Sequence, residues 1–185
     1  MKSELFKVAR KAYESCLKDI KEMAKYIEKA FKKEGQEFDH EKTLKQFDII
    51  LQYSMLQIAV SDNRTEASEI ALIRDIVKYG DFCEYLKIYS GRNEFSWSLI
   101  LAADETALSR LLDAIQEDIR KLVNEFITVF VVADNALKQD YFTDFKSNVS
   151  LILSATCHAD GDARKEELNG CAMLAVIGAL ESILK

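Results

Sequence analysis

The chain has 185 residues, 25 Lys and Arg against 31 Asp and Glu, and a formal charge of −6; 49% of its residues are hydrophobic and 30% charged. That fits one compact domain with a core and excludes a disordered tail. A chain of this size usually carries about nine prolines, but this one has none and only six glycines, which argues for long helices with short connections and against a turn-rich all-β protein. The acidic balance also disfavours a nucleic-acid binder, which needs clustered Lys and Arg.

Residues Met1 to Arg10 mix charged and apolar side chains and lack the apolar stretch of a signal peptide. Leu5, Val8, Ala12, Cys16, Ile20, Met23, Ile27 and Phe31 then step by three or four, one apolar stripe on a long helix that Gly35 closes. Lys29, Lys32 and Lys33 belong to its solvated face. A second helix is predicted from about Glu41 to Val60, with Leu44, Phe47, Ile50, Leu51, Ser54 and Ile58 inward. A third starts near Thr65 or Glu66, and Gly80 ends or bends it.

From Asp81 to Trp97 the pattern is less regular, and Ser90-Gly91-Arg92-Asn93 reads as a loop. The aromatics here, Tyr79, Phe82, Tyr85, Tyr89, Phe95 and Trp97, are expected to pack a connecting segment onto the core, with partner anchoring as the other reading. Asp104 suits the N-cap of a long helix. The β-branched run Phe126 to Val132 has no partner strand in the chain, so it is read as the buried end of a helix. Further helices are predicted over about Asp140 to Ala159 and about Ala163 to Leu184. The expectation is an all-α single domain of about seven or eight helices over residues 1–185. The longest apolar runs, Phe126 to Ala133 and Cys171 to Leu180, fall short of the ~20 residues that span a bilayer, so a cytoplasmic protein with no membrane span is expected.

There is no phosphate-binding glycine loop and no nucleophile elbow. Cys16, Cys83, Cys157 and Cys171 form no C-x-x-C pair and read mainly as small buried hydrophobes, Cys157 being ambiguous beside His158 and Asp160. Glu37 and His40 match one half of a di-iron motif with no second copy. No enzymatic activity is expected.

One signal repeats. Ser61-Asp62-Asn63 and Ala159-Asp160-Gly161 each follow an apolar helix and precede another, and a Glu stands seven residues after each Asp. An offset of 98 carries Asp62 to Asp160, Asn63 to Gly161, Glu69 to Glu167 and Gly80 to Gly178. Asn and Gly most readily take the positive φ that tight turns demand. Two related helical hairpins are therefore predicted, at about 45–80 and 145–184.

These turns resemble the signature of the tellurite-resistance TerB-like family: an Ala-x-Asp-Gly-like turn with a Glu seven residues on, placed twice. The match departs at Asn63, where Gly is usual, and at Ser61, where Ala is usual. The resemblance implies an all-helical fold with acidic inter-helix turns and a divalent-cation role in stress response or complex assembly. Asp62, Glu66, Glu69, Asp160, Asp162 and Glu167 offer the oxygen ligands that Ca²⁺ or Mg²⁺ prefer. The competing reading, favoured on the residues alone, is that these acids cap helices and complement their dipoles. Functionally the candidates are a non-enzymatic cation-binding TerB-like domain, or a metal-free module for a protein partner or self-association.

Overall fold

The computed structural model describes residues 2–33, 35, 37–60, 65–91, 93–138 and 140–159. Among these residues there are seven helices and no strand: α1 (Lys2–Lys33), α2 (His40–Val60), α3 (Ala67–Ile76), α4 (Phe82–Ser90), α5 (Trp97–Ala102), α6 (Glu105–Leu137) and α7 (Tyr141–Cys157). The all-α expectation holds. The predicted last helix, about Ala163 to Leu184, lies outside the described residues, and with it the second helix of the second hairpin.

The long helices pack antiparallel. Cys16 Sγ reaches the Phe145 carbonyl, Ser15 pairs with Asn148 and Glu22 with Tyr141, so α7 runs down α1 in its most extensive contact. Gln46 meets Glu125 and Tyr53 meets the Leu112 carbonyl, so α6 runs against α2. At the centre Phe47 stacks with Tyr13 and Phe126, and Phe130 lies 4.4 Å from Phe145 between ring centroids. Each such ring contributes roughly 1.5–3 kcal/mol through burial.

The buried face of α1 is wider than the predicted stripe. Ala9, Tyr13, Leu17 and Ala24 are buried beside Ala12, Cys16, Ile20, Met23 and Ile27, whereas Val8 is 45% exposed. Partners on several sides, α7, α6, α2 and α3, demand a broad apolar face. The β-branched run is indeed the last turns of α6, with Phe126, Ile127 and Phe130 buried. Asp104 caps α6 by accepting the amides of Thr106 and Ala107 at 2.9 and 3.2 Å.

Two expectations of local structure change. α3 stops at Ile76 rather than near Gly80. The irregular stretch after it holds two short helices: Asp81 caps α4 through the Cys83 amide, Gly91 ends it at φ +66°, and Ser96 caps α5. Phe82 is buried and Tyr85, Phe95 and Trp97 are partly buried against the core, so most of the aromatic middle packs the connection.

Candidate functional site

Of the six acids singled out in the sequence, the structure describes Glu66 and Glu69. They form a reciprocal capping box at the start of α3: Glu69 Oε2 accepts the Glu66 amide at 2.8 Å, and the Glu66 side chain accepts the Glu69 amide. Such a box satisfies two orphan amides at the helix N-terminus. Asp62, Asp160, Asp162 and Glu167 lie outside the described residues. Among the described residues, no group of three or more His, Cys, Asp or Glu side chains is placed to hold a metal ion. His40 Nε2 pairs with Glu28 at 2.9 Å rather than with Glu37. His158 Nδ1 lies 2.7 Å from the Ser154 carbonyl, within its own helix end. Cys16 and Cys83 are buried free thiols, and Cys157 is buried as well. Burial pushes the Cys16 thiol up, and burial with the nearby Asp81 pushes Cys83 to about 12.

The most organised polar cluster was not predicted. Asp48, fully buried in mid-α2, accepts the amides of Lys78, Tyr79 and Gly80 at 3.1, 2.6 and 2.9 Å through Oδ2, and the Tyr13 hydroxyl at 2.9 Å through Oδ1. One turn on, Gln52 donates to the Ile73 carbonyl and accepts the Phe82 amide. Arg10 donates to the carbonyls of Asp75 and Ile76. Together these side chains replace the backbone bonds that a longer α3 would have made, which is why α3 ends at Ile76. Burial, the largest influence, pushes the Asp48 carboxyl up against the pull of its four donors. Burial and the Asp48 charge likewise push the Tyr13 hydroxyl up, which keeps it a proton donor. A signal was available: Asp48 and Gln52 stand one helical turn apart on an apolar helix. The cluster ties α1, α2 and the α3–α4 turn into one piece; its bonds run to the chain's own backbone and between its own side chains, so it is architecture rather than a binding site.

One open feature among the described residues is an apolar groove between α5 and the first turns of α6. It measures about 430 Å³ and is lined by Phe95, Leu99, Ile100, Ala102, Ala103, Ala107, Leu108 and Leu111, with Glu94 at its edge. That volume lies within the range of ordinary binding pockets. Leu99 is 51% exposed on its wall and Leu101, on the other flank of α5, is 43% exposed. The alanines make the groove, because their small side chains leave space where α5 meets α6.

No family model, curated protein or solved structure matches this chain.

The geometry thus offers two kinds of surface. Glu66 and Glu69 are engaged with the backbone of α3, whereas the α5–α6 groove exposes apolar side chains that no described residue covers. No helix among the described residues is long and apolar enough to cross a membrane.

Proposed function

We propose that this chain is a non-enzymatic helical interaction module, and that the α5–α6 groove receives an apolar face of a basic amphipathic helix from a partner protein. The groove carries this reading: an apolar floor of Ile100, Ala103, Ala107 and Leu108, with one charged lining residue, Glu94. A helix-in-groove contact needs an apolar trough to bury a stripe of side chains and charge at the rim to set direction. Asp104 and Glu105 follow the lining residue Ala103, and the chain as a whole is acidic, so a lysine-flanked stripe is the complementary choice. The single tryptophan, Trp97, stands between the lining residues Phe95 and Leu99, and its emission reports occupancy. The test is titration with a synthetic helical peptide of Leu and Lys at heptad spacing and with its Leu–Glu counterpart. The expected result is a saturable Trp97 response to the Lys peptide, weakened at least about tenfold in Leu99→Asp and Glu94→Lys variants that melt like the parent. Equal responses to both peptides, or no effect of either substitution, would refute the assignment.

A second reading, a TerB-like pair of hairpins binding Ca²⁺ or Mg²⁺, is favoured by the 98-residue offset between the two acidic turns. In that reading Asp62, Asp160, Asp162 and Glu167 are the ligands to test, because Glu66 and Glu69 are already engaged in capping. A cation that binds only the folded chain at a hundredfold excess over its dissociation constant stabilises by about 2.7 kcal/mol. Melting after chelation and with added cation reads this directly. A saturable upward shift that disappears in Asp160→Asn with Glu167→Gln supports the reading; no shift at millimolar cation rejects it.

A further inference from the structure

The corner where α1 meets the start of α7 is crowded with acids. Asp19 lies in the middle of α1 facing α7, and its Oδ2 is buried with no hydrogen-bond partner among the described residues. A partnerless buried carboxylate oxygen is costly when charged. Its surroundings deepen the cost. From α7 come Asp144, which repels it, and the Tyr141 hydroxyl, which donates to Glu22 at 3.3 Å. From α1 itself come Glu22, Lys18 and the Cys16 thiol. Lys18 is the favourable neighbour, and it also pairs loosely with Glu22 at 3.9 Å. The end of α6 supplies Asp134, which accepts the Tyr141 and Phe142 amides at 3.0 Å and in turn feels Asp140.

We propose that this corner is an acid-tightened clamp: protonating Asp19 removes a charge held against Asp144 across the α1–α7 interface, so α7 grips α1 more firmly in mildly acidic conditions than at neutral pH. Burial, then Asp144 and Glu22, push the Asp19 carboxyl up to about 6, above its ordinary 3.8. The sign follows from proton linkage. Between roughly pH 6 and pH 4 the folded chain holds a proton at Asp19 that the unfolded chain does not, so stability from this group rises as the pH falls. A shift of that size corresponds to a change on the order of a hundredfold in the folding equilibrium, and solvent access to Asp19 reduces the expectation to about tenfold.

The experiment is thermal melting of the full chain at pH 7.5 and pH 5.0, as wild type and as Asp19→Asn, which holds a neutral side chain at both. Asp19→Asn should melt higher than wild type at pH 7.5, with the gap clearly narrower at pH 5.0. Asp144→Asn should give a smaller gain at pH 7.5. A gap of the same size at both pH values, or Asp19→Asn melting lower than wild type at pH 7.5, overturns the proposal. Carboxyl ¹³C titration of wild-type Asp19 checks it without any substitution: a midpoint near 6 is expected, and one at or below 4 rejects the clamp.

Discussion

A methyl group on Gly80 would stand 2.7 Å from the carbonyl oxygen of Lys45 and 3.0 Å from the Asp48 Cβ. The α3–α4 turn therefore touches the backbone of α2 directly, and that approach brings the amides of residues 78–80 within reach of Asp48. Gly80 does not adopt a left-handed backbone, so a substitution there acts through steric contact alone. The contacted atom is backbone and cannot swing away. Gly80→Ala is expected to destabilise the chain by about 1–3 kcal/mol, read as a lower urea midpoint with an unchanged slope.

Asp48→Ala is expected to cost more. It leaves the part-buried amides of Tyr79 and Gly80 without their acceptor and the Tyr13 hydroxyl without its carboxylate, while the Lys78 amide keeps the Tyr13 hydroxyl. The expected loss is roughly 3–5 kcal/mol. Because both substitutions act on one turn, Gly80→Ala on top of Asp48→Ala should add less than it does alone. Urea melts of the two single variants and the double variant check this; full additivity would mean that the turn is held independently of Asp48.

At the start of α3, Glu69→Gln and Glu69→Ala should separate. Gln keeps the side-chain acceptor of a capping box and Ala removes it. The alanine variant should lose about 1 kcal/mol and the glutamine variant little. Melting with and without chelator should show the same difference between them, since the cap needs no cation.

The thiols give a readout of packing. Cys16 and Cys83 are buried and their thiols are pushed up, Cys83 to about 12. A buried thiol held above the working pH is a poor nucleophile. Mass spectrometry after brief alkylation at pH 8 should find both unmodified in the native chain and fully modified in denaturant. Modification of Cys83 within minutes under native conditions would mean that α4 detaches from α2.

The helices were legible where one local rule governed them. The apolar step of α1 and the Asp104 cap of α6 follow from spacing and composition, and the run at Phe126 reads as helix through its lack of a strand partner. The end of α3 was not legible, because it is decided by Arg10, Asp48 and Gln52, which arrive from other helices. α4 and α5 escaped for a related reason: helices of nine and six residues carry too few turns to display a period. Asp48 and Gln52 stand in plain view as polar residues on an apolar helix, but apart from the Tyr13 hydroxyl their partners are backbone amides and a carbonyl, which leave no trace in side-chain patterns. The groove depends on Ala102, Ala103 and Ala107, and small residues mark open space only once the angle between two helices is known.

The pairing of α1 with α7 has a consequence for how the chain is made. Cys16 meets Phe145, 129 residues further along, and Ser15 meets Asn148, 133 residues further along. At about 5–20 residues per second, a ribosome extends the chain for roughly 6–26 s between these partners. Throughout that interval the apolar stripe of α1 is without its principal cover, although α2 can already shield part of it. The nascent chain thus presents a long amphipathic helix to the cell well before it can close, and the burden of keeping that helix from straying falls on whatever attends the ribosome exit.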